Sequence, residues 1–69
     1  MRTTRLYHPG DLVCGETVQL NTETSGHLIR VLRTKIDSAV TLFNGDGHDY
    51  HCTTLNDNAR KTLLTVNYR

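Results

Sequence analysis

Cysteine and long apolar runs are both scarce in this chain, and each scarcity excludes a class of protein. The two cysteines, Cys14 and Cys52, stand far apart and no CxxC pair exists. They form neither a disulfide framework nor a thiol redox motif, so free thiols in a reducing cytosol are expected. No stretch approaches the roughly 18 apolar residues that a membrane-spanning helix needs. The opening Met1-Arg2-Thr3-Thr4-Arg5-Leu6-Tyr7 also lacks the apolar run of a signal peptide. A soluble, cytoplasmic protein with no membrane partner is the expectation. Repeats and low-complexity segments are absent. Ser25 and Ser38 have no motif around them, and Asp46 and Asp49 fall on a polar hairpin where solvation explains them, so no catalytic residue is expected.

Length narrows the field further. Sixty-nine residues make one domain, 1–69. A chain this short buries only about 60% of its unfolded surface, and its core rarely supplies more than ~3–5 kcal/mol. Little room remains for a deep substrate cleft. A binding or accessory domain fits that size better than a complete enzyme.

What the chain does have is polarised charge. The net charge is only +1, but residues 1–35 carry Arg2, Arg5, Arg30, Arg33 and Lys35 against Asp11, Glu16 and Glu23. Residues 36–58 carry Asp37, Asp46, Asp49 and Asp57 with no Lys or Arg, and Arg60, Lys61 and Arg69 make the end basic again. Such a map can produce a basic face at near-zero net charge, although ordinary solvated charge gives the same count.

The periodicity is mostly that of strands. Arg5-Leu6-Tyr7 is a short extended segment ending in a Pro9-Gly10-Asp11 turn. Glu16–Leu20 alternates, with Val18 and Leu20 on one face. Val40 and Leu42 alternate with Thr41 and Phe43; Tyr50, Cys52 and Thr54 alternate with Asp49, His51 and Thr53. Asn44-Gly45-Asp46-Gly47 between them reads as a hairpin loop. Asn56-Asp57-Asn58 is a second turn, and Leu64, Val66 and Tyr68 share one face of a last strand. One helix interrupts the pattern. Asn21 or Thr22 caps it, Glu23 suits its first turn, and Leu28, Val31 and Leu32 form an apolar stripe. Gly26 within it costs ~1 kcal/mol relative to Ala. The predicted fold is therefore mainly β with one helix, a small closed or half-closed barrel with the helix across an opening.

The helix carries the most informative chemistry. His27 and Arg30 lie on a face beside the apolar stripe, and Arg33 and Lys35 follow near the end. Arg makes planar, bidentate contacts to phosphate and stacks on bases. With Arg2, Arg5 and Tyr7 nearby, these residues suit structured RNA, which is read through backbone, shape and stacking on unpaired bases. The plainer reading is a solvated helix face. His48, His51 and Cys52, with Cys14, resemble a metal set only in composition. Neighbouring strand positions point to opposite faces, which opposes a shared zinc. Gly45-Asp46-Gly47 lacks the following helix of a nucleotide loop.

Four stretches together resemble a known family. They are the opening Met1–Tyr7; His27-Leu28-Ile29-Arg30-Val31-Leu32-Arg33; Leu42-Phe43-Asn44-Gly45-Asp46-Gly47; and the spacing of Asp49-Tyr50 after that turn. The chain is similar, from Arg2 to about Tyr68, to the N-terminal domain of ribosomal RNA small subunit methyltransferase E, the bacterial enzymes that methylate N3 of a uridine in 16S rRNA. The resemblance implies a PUA-like β-barrel used for RNA binding in rRNA processing and ribosome biogenesis. It implies a larger knotted catalytic domain outside this chain, which would hold S-adenosylmethionine, and a homodimeric parent. On that reading the chain is an N-terminal domain that docks the enzyme onto 16S rRNA or the small ribosomal subunit. It needs no cofactor or metal of its own. The alternative is a structural domain packed on the catalytic domain or a dimer partner, with little RNA contact. An independent small enzyme or metal protein ranks last. Two positions depart from the family: Gly26 replaces the first of a His pair, and Asp37-Ser38 stands where Gly-Asp is usual. Asp tolerates left-handed backbone better than most residues, so the turn there is expected to survive.

Overall fold

The computed structural model describes residues 4–69. Five strands make one sheet: β1 (Thr4–Tyr7), β2 (Thr17–Gln19), β3 (Ala39–Phe43), β4 (Asp49–Thr54) and β5 (Leu63–Tyr68). Their spatial order is β1-β3-β4-β5-β2. The β1–β3 pair is parallel and the other pairs are antiparallel, so β3, β4 and β5 form the expected meander. Parallel pairing of β1 with β3 requires a crossover, and the helix lies within that crossover.

The helix begins as read from the sequence. Helix α1 (Thr22–Gly26) is capped by the Asn21 side chain, which accepts from the Thr24 N–H at 2.7 Å. Ser25 is fully buried; its hydroxyl donates to the Leu20 carbonyl at 3.3 Å and accepts from the Thr62 N–H at 3.0 Å. These bonds tie the helix to the end of β2 and the start of β5. Its other flank shares a hollow of about 360 Å³ with Leu6 and Tyr7 of β1. The helix is thus bonded beside the β2 end of the sheet and faces β1 across that hollow, which makes a half-closed barrel with the helix across the opening.

Inside lie Leu12, Leu20, Leu28, Val40, Leu42, Tyr50, Cys52, Leu64 and Val66. Period-2 alternation delivers the strand members to one side, and Leu28 enters from the helix. Leu6, Val18 and Ile29 pack at the margin.

Two expectations fail. The helix does not run to Lys35 as one α-helix. After Gly26 it widens into a π-helical turn, His27–Val31, closed by the Leu32 N–H on the His27 carbonyl at 3.1 Å. Arg33 then turns left-handed at φ 53° and ends it. The apolar stripe breaks with the pitch: Leu28 is buried, while Val31 and Leu32 are 65% and 43% exposed. Ile29, Val31 and Thr34 are β-branched and lose side-chain freedom in a helix, which favours stopping here. Nor does Tyr68 share a face with Leu64 and Val66. A β-bulge lets Cys52 pair with Val66 but His51 with Tyr68, leaving Asn67 as the extra residue. One inserted residue reverses the alternation, so Tyr68 sits on the outer face.

Candidate nucleic-acid interface

The residues proposed from sequence to meet RNA occupy two neighbouring places. On the helix side, His27 is exposed and lines the hollow shared with Leu6, Tyr7, Glu23 and Thr24. Arg30 is exposed on the π-helical turn. Arg33 and Lys35 are exposed too, but in the connection to β3 rather than on the helix, so they do not extend its cationic face as the spacing suggested. That connection is held from within. The Thr54 hydroxyl donates to the Lys35 carbonyl at 2.6 Å and accepts from the Ser38 N–H at 2.8 Å, and the Asp37 N–H donates to the Thr54 carbonyl at 2.9 Å. Asp37 adopts φ 62°, the left-handed turn expected at that departure from the family pattern. Arg2 lies outside the described residues.

Arg5 and Tyr7 sit on the outward face of β1. Arg5 is not a free cation. Its guanidinium bonds to Asp49 Oδ1 from Nη2 at 3.0 Å and Nε at 3.3 Å, and lies 4.0 Å from the centre of the Phe43 ring. Tyr7 meets the same ring edge-to-face, with centroids 5.6 Å apart. The arrangement fixes the plane of the guanidinium and offers it for stacking more than for wrapping a phosphate.

Phe43, Asp49, His51 and Tyr68 were not singled out from the sequence as site residues, yet they share this face with Arg5 and Tyr7. The alternation of β3 and β4 carried part of that signal. The missing part was register, which a sequence without partners does not specify.

Beyond the face, the β3–β4 loop is rigidly bonded. Gly45 and Gly47 supply φ of 87° and 93°. Asp46 accepts from the His48 N–H at 2.9 Å and from the Tyr50 hydroxyl at 2.5 Å. The Tyr50 bond is the main reason that the Asp46 carboxyl is held below its ordinary range, and the same bond is the main reason that the Tyr50 hydroxyl is pushed up. Burial pushes the Cys52 thiol up to about 11, which keeps it protonated and unreactive in the core. His51 lies on the outer face while Cys52 points inward, and among the described residues no three His, Cys, Asp or Glu converge on a common point. No described helix is long and apolar enough to cross a membrane.

Comparison with known proteins agrees with this geometry. A protein from Legionella pneumophila named as a methyltransferase, solved with S-adenosylmethionine bound, superposes with a TM-score of 0.92 at 28% identity over 99% of this chain. Ribosomal RNA small subunit methyltransferase E from Neisseria gonorrhoeae, also bound to S-adenosylmethionine, superposes at 0.88 with 25% identity over 97% of it. This chain spans only 28% and 27% of those two proteins. A sequence comparison with curated proteins found no match. The family model for the PUA domain of RNA methyltransferases matches residues 20–58, more than half of the 69, from the end of β2 to the turn after β4. By that match, the barrel with its cationic helix end belongs to the RNA methyltransferase PUA domain family.

Proposed function

We propose that this domain binds RNA and docks an S-adenosylmethionine-dependent methyltransferase onto its substrate, with methyl transfer performed by a part of the protein beyond these residues. The observation that carries the reading is the run of exposed cations Arg30, Arg33 and Lys35 that follows His27, itself exposed in a hollow shared with Tyr7, in a domain of the RNA methyltransferase PUA family. At the finer level the substrate is 16S rRNA of the small ribosomal subunit, and the reaction is methylation of uridine N3 in the cytoplasm by a homodimer. Likeness to the Neisseria enzyme and the sequence motifs support that assignment. No residue of this chain is assigned to the cofactor.

The test is a binding series at several salt concentrations with an RNA hairpin. Each phosphate contact removed lowers the slope of log affinity against log salt by roughly one unit. Replacing both Arg30 and Arg33 by Ala should reduce the slope by about two units and weaken binding by about tenfold or more. An unchanged affinity in a folded double variant would overturn the reading.

One observation favours a second reading, a domain that packs on the rest of the enzyme or on a dimer partner. Val31 and Leu32 at the helix end, and Ile36 and Leu55 flanking the Lys35–Thr54 contact, are all exposed. On that reading a Val31→Ser, Leu32→Ser variant leaves RNA affinity intact but lowers the thermal stability of the full-length protein.

A further inference from the structure

The outer face of the sheet carries a set of rings of which the helix side shares only Tyr7. Register places them in two rows. Arg5, Thr41, His51 and Tyr68 are cross-strand neighbours, and so are Tyr7, Phe43 and Asp49. His51 and Tyr68 stack with centroids 4.6 Å apart and planes inclined by 25°. Tyr7 and Phe43 pack edge-to-face, and Arg5 lies over Phe43. Tyr7 and Tyr68 are 54% and 61% exposed. A hollow of about 300 Å³ adjoins Arg5 and Phe43, and one of about 450 Å³ adjoins His51 and Tyr68.

Beside the rings stand Thr53 and Thr65, cross-strand partners that are half-buried and hydroxyl-bearing, while Thr41 between the rings is buried. Of the exposed aliphatic residues, Val31, Leu32, Ile36 and Leu55 lie elsewhere, around the helix end and its connection to β3, and Val13 lies in the β1–β2 connection. A protein partner of the core-like kind would want the aliphatic groups here. Flat π faces, a fixed guanidinium plane and hydroxyls suit nucleobases and ribose. The carboxylate on the face, Asp49, is paired with Arg5 at 3.0 Å, so it repels phosphate less. The face is also continuous with the helix site, because Tyr7 lines the hollow that contains His27.

Resting on the RNA-binding reading above, we propose that this sheet face is a stacking platform for two unpaired bases of the bound RNA, one over Arg5 and Phe43 beside Tyr7 and one on Tyr68. From Phe43 to Tyr68 is two strands across and one same-face step along, roughly 12 Å by sheet spacing. Bases stacked in a duplex strand lie about 3.4 Å apart, so the two positions take bases pulled out of continuous stacking. Single-stranded or bulged RNA fits and a regular duplex does not. The β-bulge at Asn67 acquires a role on this account: without it Tyr68 would face inward and the second position would vanish.

The experiment compares the chain's affinity for a short oligouridylate and for an RNA duplex of matching length. Tyr68→Ala should weaken oligouridylate binding by about tenfold and leave the duplex unchanged, and Tyr68→Phe should restore it. Tyr7→Ala should weaken oligouridylate binding by a similar factor at the other position, and it decides the matter should Tyr68→Ala disturb the fold. If neither Ala variant alters oligouridylate affinity while binding still depends on Arg30 and Arg33, the platform is refuted and the docking reading stands. If the unmodified chain binds neither RNA at low salt, both fail together.

Discussion

The two ends of β3 solve the same problem, reversing the chain, in opposite ways. At its far end the Asn44–His48 loop obeys every local rule. Glycine occupies both left-handed positions, and Asn44 and Asp46 side chains accept the backbone N–H groups of Asp46 and His48. At its near end the 27–38 segment breaks them. It winds a π-helical turn, puts Arg33 and Asp37 in left-handed backbone without glycine, and leaves Val31 and Leu32 in solvent. Evolution tolerates such conflict where something other than stability is served. The well-formed loop presents no cation of the candidate site, and the strained connection is the one that presents Arg30, Arg33 and Lys35.

The sharpest way to break this contrast is through Leu28, the one π-turn residue that is fully buried. Its role in the core is stability alone. Leu28→Ala should cost about 2–5 kcal/mol, as much as the whole margin of a domain this small, about 3–5 kcal/mol. Urea unfolding should find the variant largely unfolded in buffer. A loss below about 1 kcal/mol would mean that the helix is not anchored where the structure puts it.

Two glycine exchanges, made in opposite directions, sharpen it next. Gly47→Ala imposes a Cβ at φ 93° and should destabilise by about 1–2 kcal/mol, although nothing crowds the new methyl. Arg33→Gly removes a Cβ at φ 53° and should stabilise by up to about 1 kcal/mol while weakening RNA binding. A thermal melt and one binding curve per variant suffice. Equal losses of stability from both would erase the distinction between a relaxed turn and a strained, functional one.

The same contrast explains what could be read from the sequence. Devices that act within a few residues were legible: the Asn21 cap, the glycine hairpin, the left-handed turn at Asp37 and the alternation of β3 and β4. The single α-helix through Lys35 was misjudged because a Leu28-Val31-Leu32 stripe satisfies an α-helical period, whereas in the fold only Leu28 of that stripe is buried and Val31 and Leu32 face solvent. Tyr68 was misjudged because its facing depends on an unpaired Asn67, visible only against β4. The cations of the candidate site were visible as residue types. Arg5's engagement with Asp49 and Phe43 joins three strands and was not.

The smallest expected effect tests the relaxed loop itself. The Tyr50 ring belongs to the core, and its hydroxyl reaches out to the Asp46 carboxylate. Asp46 has its folded pKa lowered, so its contribution to stability is present above the ordinary carboxylate pKa and is lost as pH falls through the folded value. Tyr50 has its folded pKa raised, so the contribution is present below the ordinary tyrosine pKa and is lost as pH rises through the folded value. One hydrogen bond therefore gives a plateau, roughly pH 4 to 10, with a fall on either side. Tyr50→Phe should narrow the difference between plateau and flanks relative to the unmodified chain, and a titration of Asp46 followed by NMR should show its pKa rise towards the ordinary value. If Asp46 titrates identically with and without the hydroxyl, the hairpin is not bonded in solution as described, and the well-formed end of β3 loses its claim to be the relaxed one.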